Sequence, residues 1–194
     1  MDEIRLCIAG GIRSGKSSLS AYAEKKYHMI PFAFGDKLKD DFHKEYPHIP
    51  RYPKPRKGYQ LFGQLKRYVY GDDYWIDLCF KEIDRIRQAA NYYNSTGSEI
   101  AFSPIITDAR QPNEFERCRK EGYKIIKVVA PLELRMERAR AAGDKFKEED
   151  FYHETELYIA NLEADYTIHN DEGLDKLYRA FDSIIEDIRN GEIK

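Results

Sequence analysis

The sequence is poor in cysteine and in long apolar runs, and it lacks an excess of charge of one sign; each shortage removes a class of protein. Cys7, Cys79 and Cys118 are the three cysteines of 194 residues. They have neither the density of a disulfide scaffold nor the paired spacing of a zinc site, which suits a reducing, cytoplasmic setting. The apolar run nearest the start, Leu6–Ala9, lies behind Asp2 and Glu3. It is too short for the apolar region of a signal peptide, and nothing later approaches the roughly 18 apolar residues of a membrane span, so no membrane partner is expected. Lys and Arg number 32 against 34 Asp and Glu, a formal charge of −2, which argues against nucleic acid as a general partner. His28, His43, His48, His153 and His169 show no zinc-ligand spacing, and no Ser-His-Asp or Cys-His set stands out. What is left is a soluble globule of one domain by length. Such a chain buries about 70% of its unfolded surface without disulfides or structural metal.

No repeat or low-complexity linker interrupts the chain. The pattern predicts a strand at Ile4–Ala9, a helix from about Lys16 to Lys25, and a second short apolar run, Ile30–Phe34. A helix is predicted from Trp75 to about Tyr93, where Ile76, Phe80, Ile83 and Ile86 recur at helical spacing. Asn94–Ser98 is rich in turn formers, and Ile100–Thr107 reads as a strand. Pro112 suits the first turn of a helix ending near Gly122. Lys124–Val129 and Tyr166–His169 are further strands. In the closing helix Leu174, Leu177, Tyr178, Phe181, Ile184, Ile185 and Ile188 fall on one face. Strands alternating with helices imply a parallel sheet and a three-layer α/β fold.

One motif carries chemistry by itself. Gly10-Gly11-Ile12-Arg13-Ser14-Gly15-Lys16-Ser17 matches G-x-x-x-x-G-K-[ST], between an apolar strand and an amphipathic helix. Its glycines let successive N–H groups turn around an anion, and the helix that follows adds partial positive charge. Lys16 is placed to reach the outer phosphates of a nucleoside triphosphate, and the Ser17 hydroxyl to ligate Mg²⁺. This predicts a P-loop NTPase fold that binds ATP and Mg²⁺.

Other residues point from binding to transfer. Ile105-Ile106-Thr107 delivers Asp108 to a sheet edge where ligands collect, as a partner of Mg²⁺-bound water or as a helix cap. Arg110, two residues on, suits a bidentate grip on phosphate, or is a surface arginine. Arg135 and Arg138 share a helix face, either closing over a transferring phosphoryl group or forming a solvated surface with Arg140. Between Tyr46 and Gly71 no acidic residue occurs, and Arg51, Lys54, Arg56, Lys57, Lys66 and Arg67 interleave with Tyr52, Tyr59, Phe62, Tyr68 and Tyr70. Three readings of this stretch stay open: a platform for single-stranded nucleic acid, an acceptor pocket that stacks one base and clamps one phosphate, and a solvated loop with core tyrosines. Trp75 and the tyrosines also offer a surface for a homodimer.

Taken in order, the phosphate loop, Phe34-Gly35-Asp36-Lys37-Leu38-Lys39-Asp40, Arg56-Lys57-Gly58-Tyr59-Gln60-Leu61-Phe62-Gly63, Tyr74-Trp75, Asp108-Ala109-Arg110-Gln111 and Asn170-Asp171-Glu172-Gly173 resemble the deoxynucleoside monophosphate kinases of large bacteriophages. The resemblance implies transfer of the γ-phosphoryl group of Mg-ATP to a (deoxy)nucleoside 5′-monophosphate. It implies that Gly10, Gly11, Arg13, Ser14, Gly15, Lys16, Ser17 and Ser18 hold ATP, with Asn170 and Gly173 in a loop flanking adenine. Phe34, Asp36, Lys37, Arg56, Tyr59, Gln60, Trp75 and Arg110 would surround the acceptor in an insertion over roughly 36–75. A lid would cover roughly 135–157 and include Glu156, and Ser17 with Asp108 would serve the metal. The same motifs resemble animal-type phosphomevalonate kinases. A hydroxyl acceptor, with Asp36 as base, and a nucleic-acid-stimulated NTP-binding module complete the alternatives.

Overall fold

The computed structural model describes residues 3–144 and 147–191. Its organising element is β1, Leu6–Gly10, whose five residues are all buried, as expected of a central strand covered on both faces. β2 is Ile30–Phe32, β3 Pro104–Ile106, β4 Lys124–Val129 and β5 Tyr166–His169, in the sheet order β2-β3-β1-β4-β5. β1 runs parallel to β3, with Leu6 opposite Ile105, and parallel to β4, with Leu6 opposite Lys124 and Gly10 opposite Val128. β5 continues the sheet in parallel, Ile126 facing Tyr166. Parallel pairing brings the carboxyl ends of β1, β3, β4 and β5 to one edge. The phosphate loop, Asp108 to Arg110, the segment leading to Arg135, and Asn170 therefore all leave the sheet on the same side.

Helix α1, Lys16–Tyr27, and α8, Leu174–Asn190, share a core with the sheet: Leu19 and Ala23 meet Leu177, Phe181, Ile184 and Ile185 over Leu6, Ile8, Ile126, Val128 and Ile168. The one-face expectation for α8 holds except at its start, where Leu174 is 48% exposed. α5, Pro112–Lys120, packs against β4, and α7, Glu154–Asn161, against β1. α6 spans Leu132–Ala141, and a short 3-10 turn covers Glu148–Tyr152. The result is the expected three-layer α/β architecture.

The chain divides into two compact units, Met1–Pro31 with Ala101–Lys194, and Phe32–Ile100. The second is helical: α2, Phe34–Glu45; α3, Arg56–Tyr70; and α4, Tyr74–Ser95, around buried Phe42, Phe62 and Trp75. Three boundaries differ from expectation. The second strand stops at Phe32 because Phe34 opens α2, with Ala33 extended at its N-cap. The strand expected over Ile100–Thr107 shrinks to Pro104–Ile106. Asn94 accounts for its lost end, since its side-chain amide accepts from the Ile100 N–H at 2.6 Å and donates to the Ile100 carbonyl at 2.9 Å. The stretch from Tyr46 to Gly71, open between pocket, platform and loop, contains a 15-residue helix. Gly58 and Gly63 lower its helix propensity, and both sit close against α2: a Cβ on Gly63 would lie 2.7 Å from Leu38 Cδ1, and one on Gly58 2.8 Å from Phe42 Cζ.

Candidate functional site

The phosphate loop leaves β1 at Gly10, where a Cβ would sit 2.7 Å from the Val128 carbonyl oxygen. The loop turns through Arg13 at φ 57° and Gly15 at φ 114°, conformations that strongly favour glycine at the second position. Gly15 also admits the Asn170 side chain, which a Cβ there would strike. α1 begins at Lys16 with Gly15 as its N-cap and without a side-chain cap, so its leading N–H groups form the donor array an anion needs.

A buried contact from Asn170, backed by Arg138, holds this loop in place. Asn170, 2% exposed at the end of β5, donates from Nδ2 to the Ser14 carbonyl at 2.7 Å. Its own backbone is anchored by a bond from its N–H to the Val129 carbonyl at 2.7 Å. Arg138 then donates from Nη2 to the Asn170 carbonyl at 3.0 Å and from Nη1 to the Arg13 carbonyl at 3.5 Å. The side chain assigned to adenine by resemblance is thus a tie beneath the loop. Gly173, assigned with it, is the N-cap of α8 at φ 100°.

The charged side chains converge above. Lys16 Nζ donates to the carbonyls of Gly10 at 2.6 Å and Gly11 at 2.7 Å. Burial, aided by the Arg110 and Arg135 guanidiniums and opposed by Glu156, pushes the Lys16 ammonium down to about 8. Arg135 Nη1 donates to Glu156 Oε2 at 3.0 Å, and its guanidinium lies 5.4 Å over the Phe151 ring. Arg110 Nη1 pairs with Glu156 Oε1 at 3.7 Å. Glu156 in turn accepts from the Ile12 N–H at 2.9 Å and is 6% exposed. On the rim, exposed Arg13 forms a two-bond ion pair with Asp144, 2.6 Å for each bond, which raises its basicity.

Arg110 is aimed by a residue that sequence reasoning passed over. Buried Glu114 accepts from the N–H groups of Arg110 at 2.6 Å and Gln111 at 2.9 Å. This fixes the backbone just past Asp108, and its signal was available: Gln111 and Glu114 have capping-box spacing around Pro112. Asp108 is half-buried, two residues beyond β3, and its charge raises the buried Cys7 thiol, chiefly held up by Cys118. Ser17 is exposed and Ser18 half-buried in the first turn of α1. Of the lid expected over 135–157, Lys145 and Phe146 lie outside the described residues. Among the described residues no group of three or more His, Cys, Asp or Glu is arranged to hold a metal ion.

The residues assigned to an acceptor, apart from Arg110, belong to the helical unit. Trp75 is 1% exposed and donates from Nε1 to the Gly63 carbonyl at 3.2 Å. Phe34 is buried beside Phe80, and the Tyr59 hydroxyl bonds His43 Nε2 at 2.7 Å. These rings build a core. Arg56 and Gln60 are exposed on α3, while on α2 Lys37 pairs with Asp41 at 2.9 Å and exposed Asp36 with Lys39 at 2.7 Å.

No family model matches the sequence, and no curated protein matches it. Solved structures do. TT1252 from Thermus thermophilus is 20% identical with a TM-score of 0.54, covering 96% of this chain and 98% of that one. Shikimate kinase from Bacteroides thetaiotaomicron is 14% identical with a TM-score of 0.53, again over 96% and 98%. Shikimate kinase from Aquifex aeolicus is 11% identical with a TM-score of 0.50 over the same shares. At these identities the likeness is one of fold, and the chain has the three-layer P-loop fold found in these structures.

Proposed function

We propose that the protein transfers the γ-phosphoryl group of Mg-ATP to a (deoxy)nucleoside 5′-monophosphate. The observation that carries the reading is the convergence of Lys16, Arg110 and Arg135 on a loop whose helix start is left uncapped by any side chain. Phosphoryl transfer asks the protein for position and for charge opposite the developing negative oxygens, and a phosphate acceptor needs no general base. Gly10 to Ser18 would cradle the triphosphate, with Ser17 and Asp108 facing the cation, which supplies neutralisation of the outer phosphates. Lys16, Arg110, Arg135 and Arg138 would carry the remaining positive charge.

The nucleotide acceptor is supported by the ordered sequence resemblance to the bacteriophage kinases and by the exposed Arg56, Lys57 and Gln60 on α3. With Trp75 and Phe34 sealed in the core, the polar edge of that helix remains as the acceptor-binding element. A hydroxyl acceptor is the second reading, favoured by exposed Asp36 in the first turn of α2, which would act as base.

The test is ADP release from Mg-ATP across the deoxynucleoside and ribonucleoside monophosphates, deoxynucleosides, dephospho-coenzyme A and phosphomevalonate. Turnover confined to monophosphates of nucleosides is the expected result. Turnover only with a hydroxyl acceptor, or only with phosphomevalonate, would overturn it.

A further inference from the structure

The carboxylate of Glu156 lies where an anionic ligand of the phosphate loop would compete for donors. It takes the Ile12 N–H at 2.9 and 3.2 Å, the Arg135 guanidinium at 3.0 Å and the Arg110 guanidinium at 3.7 Å. It rests on the loop itself: a Cβ on Gly11 would meet Glu156 Oε2 at 2.6 Å. Without it, Lys16, Arg110 and Arg135 would face one another unbalanced. Burial is the main cause of the lowered basicity of Lys16; Arg110 and Arg135 add to it, and Glu156 alone among these neighbours opposes it.

Two oxygens do not fill the place. Arg135 Nε and Ser14 Oγ are buried with no hydrogen-bond partner. Both side chains line a cavity of about 200 Å³ with Gly11, Val128, Glu156 and Ile159. A phosphoryl group brings three terminal oxygens and up to two charges, and so offers acceptors where the carboxylate leaves donors unmet. The carrier of Glu156 is short: α7 has eight residues and is entered through His153 after the 3-10 turn.

We infer that Glu156 is an internal stand-in for the outer phosphoryl group of the ligand: it keeps Arg110 and Arg135 assembled in the free protein and is displaced by that group, so it holds down the affinity for a triphosphate relative to a diphosphate. The inference deepens the proposed function, and rests on it for the identity of the nucleotide. Its contacts go to Ile12 and the two arginines, and not to the N–H groups of Gly15 to Ser17 at the helix start. An inner phosphate seated on the helix start is therefore compatible with the carboxylate in place, and an outer one is not.

The experiment is calorimetric titration of wild type, Glu156→Gln and Glu154→Gln with orthophosphate, ADP and ATP. Glu154, exposed on the same helix, controls for the loss of one negative charge. Glu156→Gln is expected to tighten orthophosphate and ATP about tenfold, within the usual range of coupling between competing states, and to leave ADP within about twofold. Equal gains in Glu154→Gln, or unchanged orthophosphate binding in Glu156→Gln, would overturn the inference. So would a parallel loss of ATP and ADP, which would make Glu156 a structural prop of the loop. Failure of the underlying nucleotide reading is separately visible: neither protein would bind ATP, while the orthophosphate gain would remain. Should Glu156→Gln not fold, Glu156→Asp withdraws the carboxylate from Ile12 by one methylene, and a smaller gain in the same direction is expected; none would overturn the inference.

Discussion

Around the phosphate loop, polar groups crowd into a small volume and answer one another: Asn170 ties down Ser14, Glu114 aims Arg110, and Glu156 holds Arg110 and Arg135. In the helical unit, Phe32–Ile100, crowding falls instead to rings. Phe42, Phe62 and Trp75 are buried with Tyr46 and Tyr59 packed against them, and the Phe42 and Tyr59 rings meet edge-on at 5.1 Å. The contrast separates two meanings of a conspicuous residue. A cation or amide beside the glycines of a loop is held for a ligand or for the loop's shape. Phe42, Phe62 and Trp75, with Tyr46 and Tyr59 against them, are held for stability, whereas Tyr52, Tyr68 and Tyr70 stay exposed.

Substitutions can break this contrast at several strengths. The largest effect is expected at the single tryptophan. Trp75→Ala removes a buried ring and its bond to Gly63, and should cost about 3–5 kcal/mol in urea unfolding, with ATP affinity of the folded protein unchanged. Lost ATP or acceptor affinity at full stability would return Trp75 to the site.

Lys16→Met comes next. It should lower kcat/KM about 10²–10³-fold, the usual cost of removing one preorganised donor, while leaving stability equal or higher, since the ammonium is held desolvated. In the wild type, kcat/KM should fall as pH rises through about 8, where Lys16 of the free protein loses its proton. The sign for stability is the reverse. The unfolded chain keeps this proton up to an ordinary 10.5, so the cost of burying the ammonium is full below about 8 and is relieved between about 8 and 10.5, where stability rises with pH. A flat kinetic profile across this window would remove Lys16 from phosphate binding.

The smallest of the three effects is expected at Asn170. Asn170→Ala strips the buried Ser14 carbonyl of its donor and should cost about 1–3 kcal/mol in thermal unfolding. It should weaken ATP and inorganic tripolyphosphate alike, because the damage is to the loop. Weakening confined to ATP would instead make Asn170 a contact to the base, as the resemblance implies.

Much of this was legible in the sequence, and the exceptions have causes. The apolar strand, the Gly-rich motif and α1 are fixed by contiguous residues, and α8 by its periodic apolar face. These are local signals. α3 was hidden because Pro50, Pro53 and Pro55 precede it and Gly58 and Gly63 interrupt its pattern, while both glycines pack closely against side chains of α2. The end of β3 was overestimated because Ile100 is apolar and β-branched, whereas its backbone is taken by Asn94. The structure brings Arg110, Arg135 and Arg138, residues with local sequence signals, together with the phosphate loop and Glu156. The use of Glu156 and Asn170 depends on contacts across more than 140 residues, which no spacing rule encodes.

Hydrogen exchange in the presence of Mg-ATP alone and of a nucleoside monophosphate alone tests the division of labour most directly. Mg-ATP should slow exchange across residues 10–18 and leave 36–75 unchanged, and the monophosphate should slow exchange within 36–75. Protection of 36–75 by Mg-ATP with no change across 10–18 would contradict it.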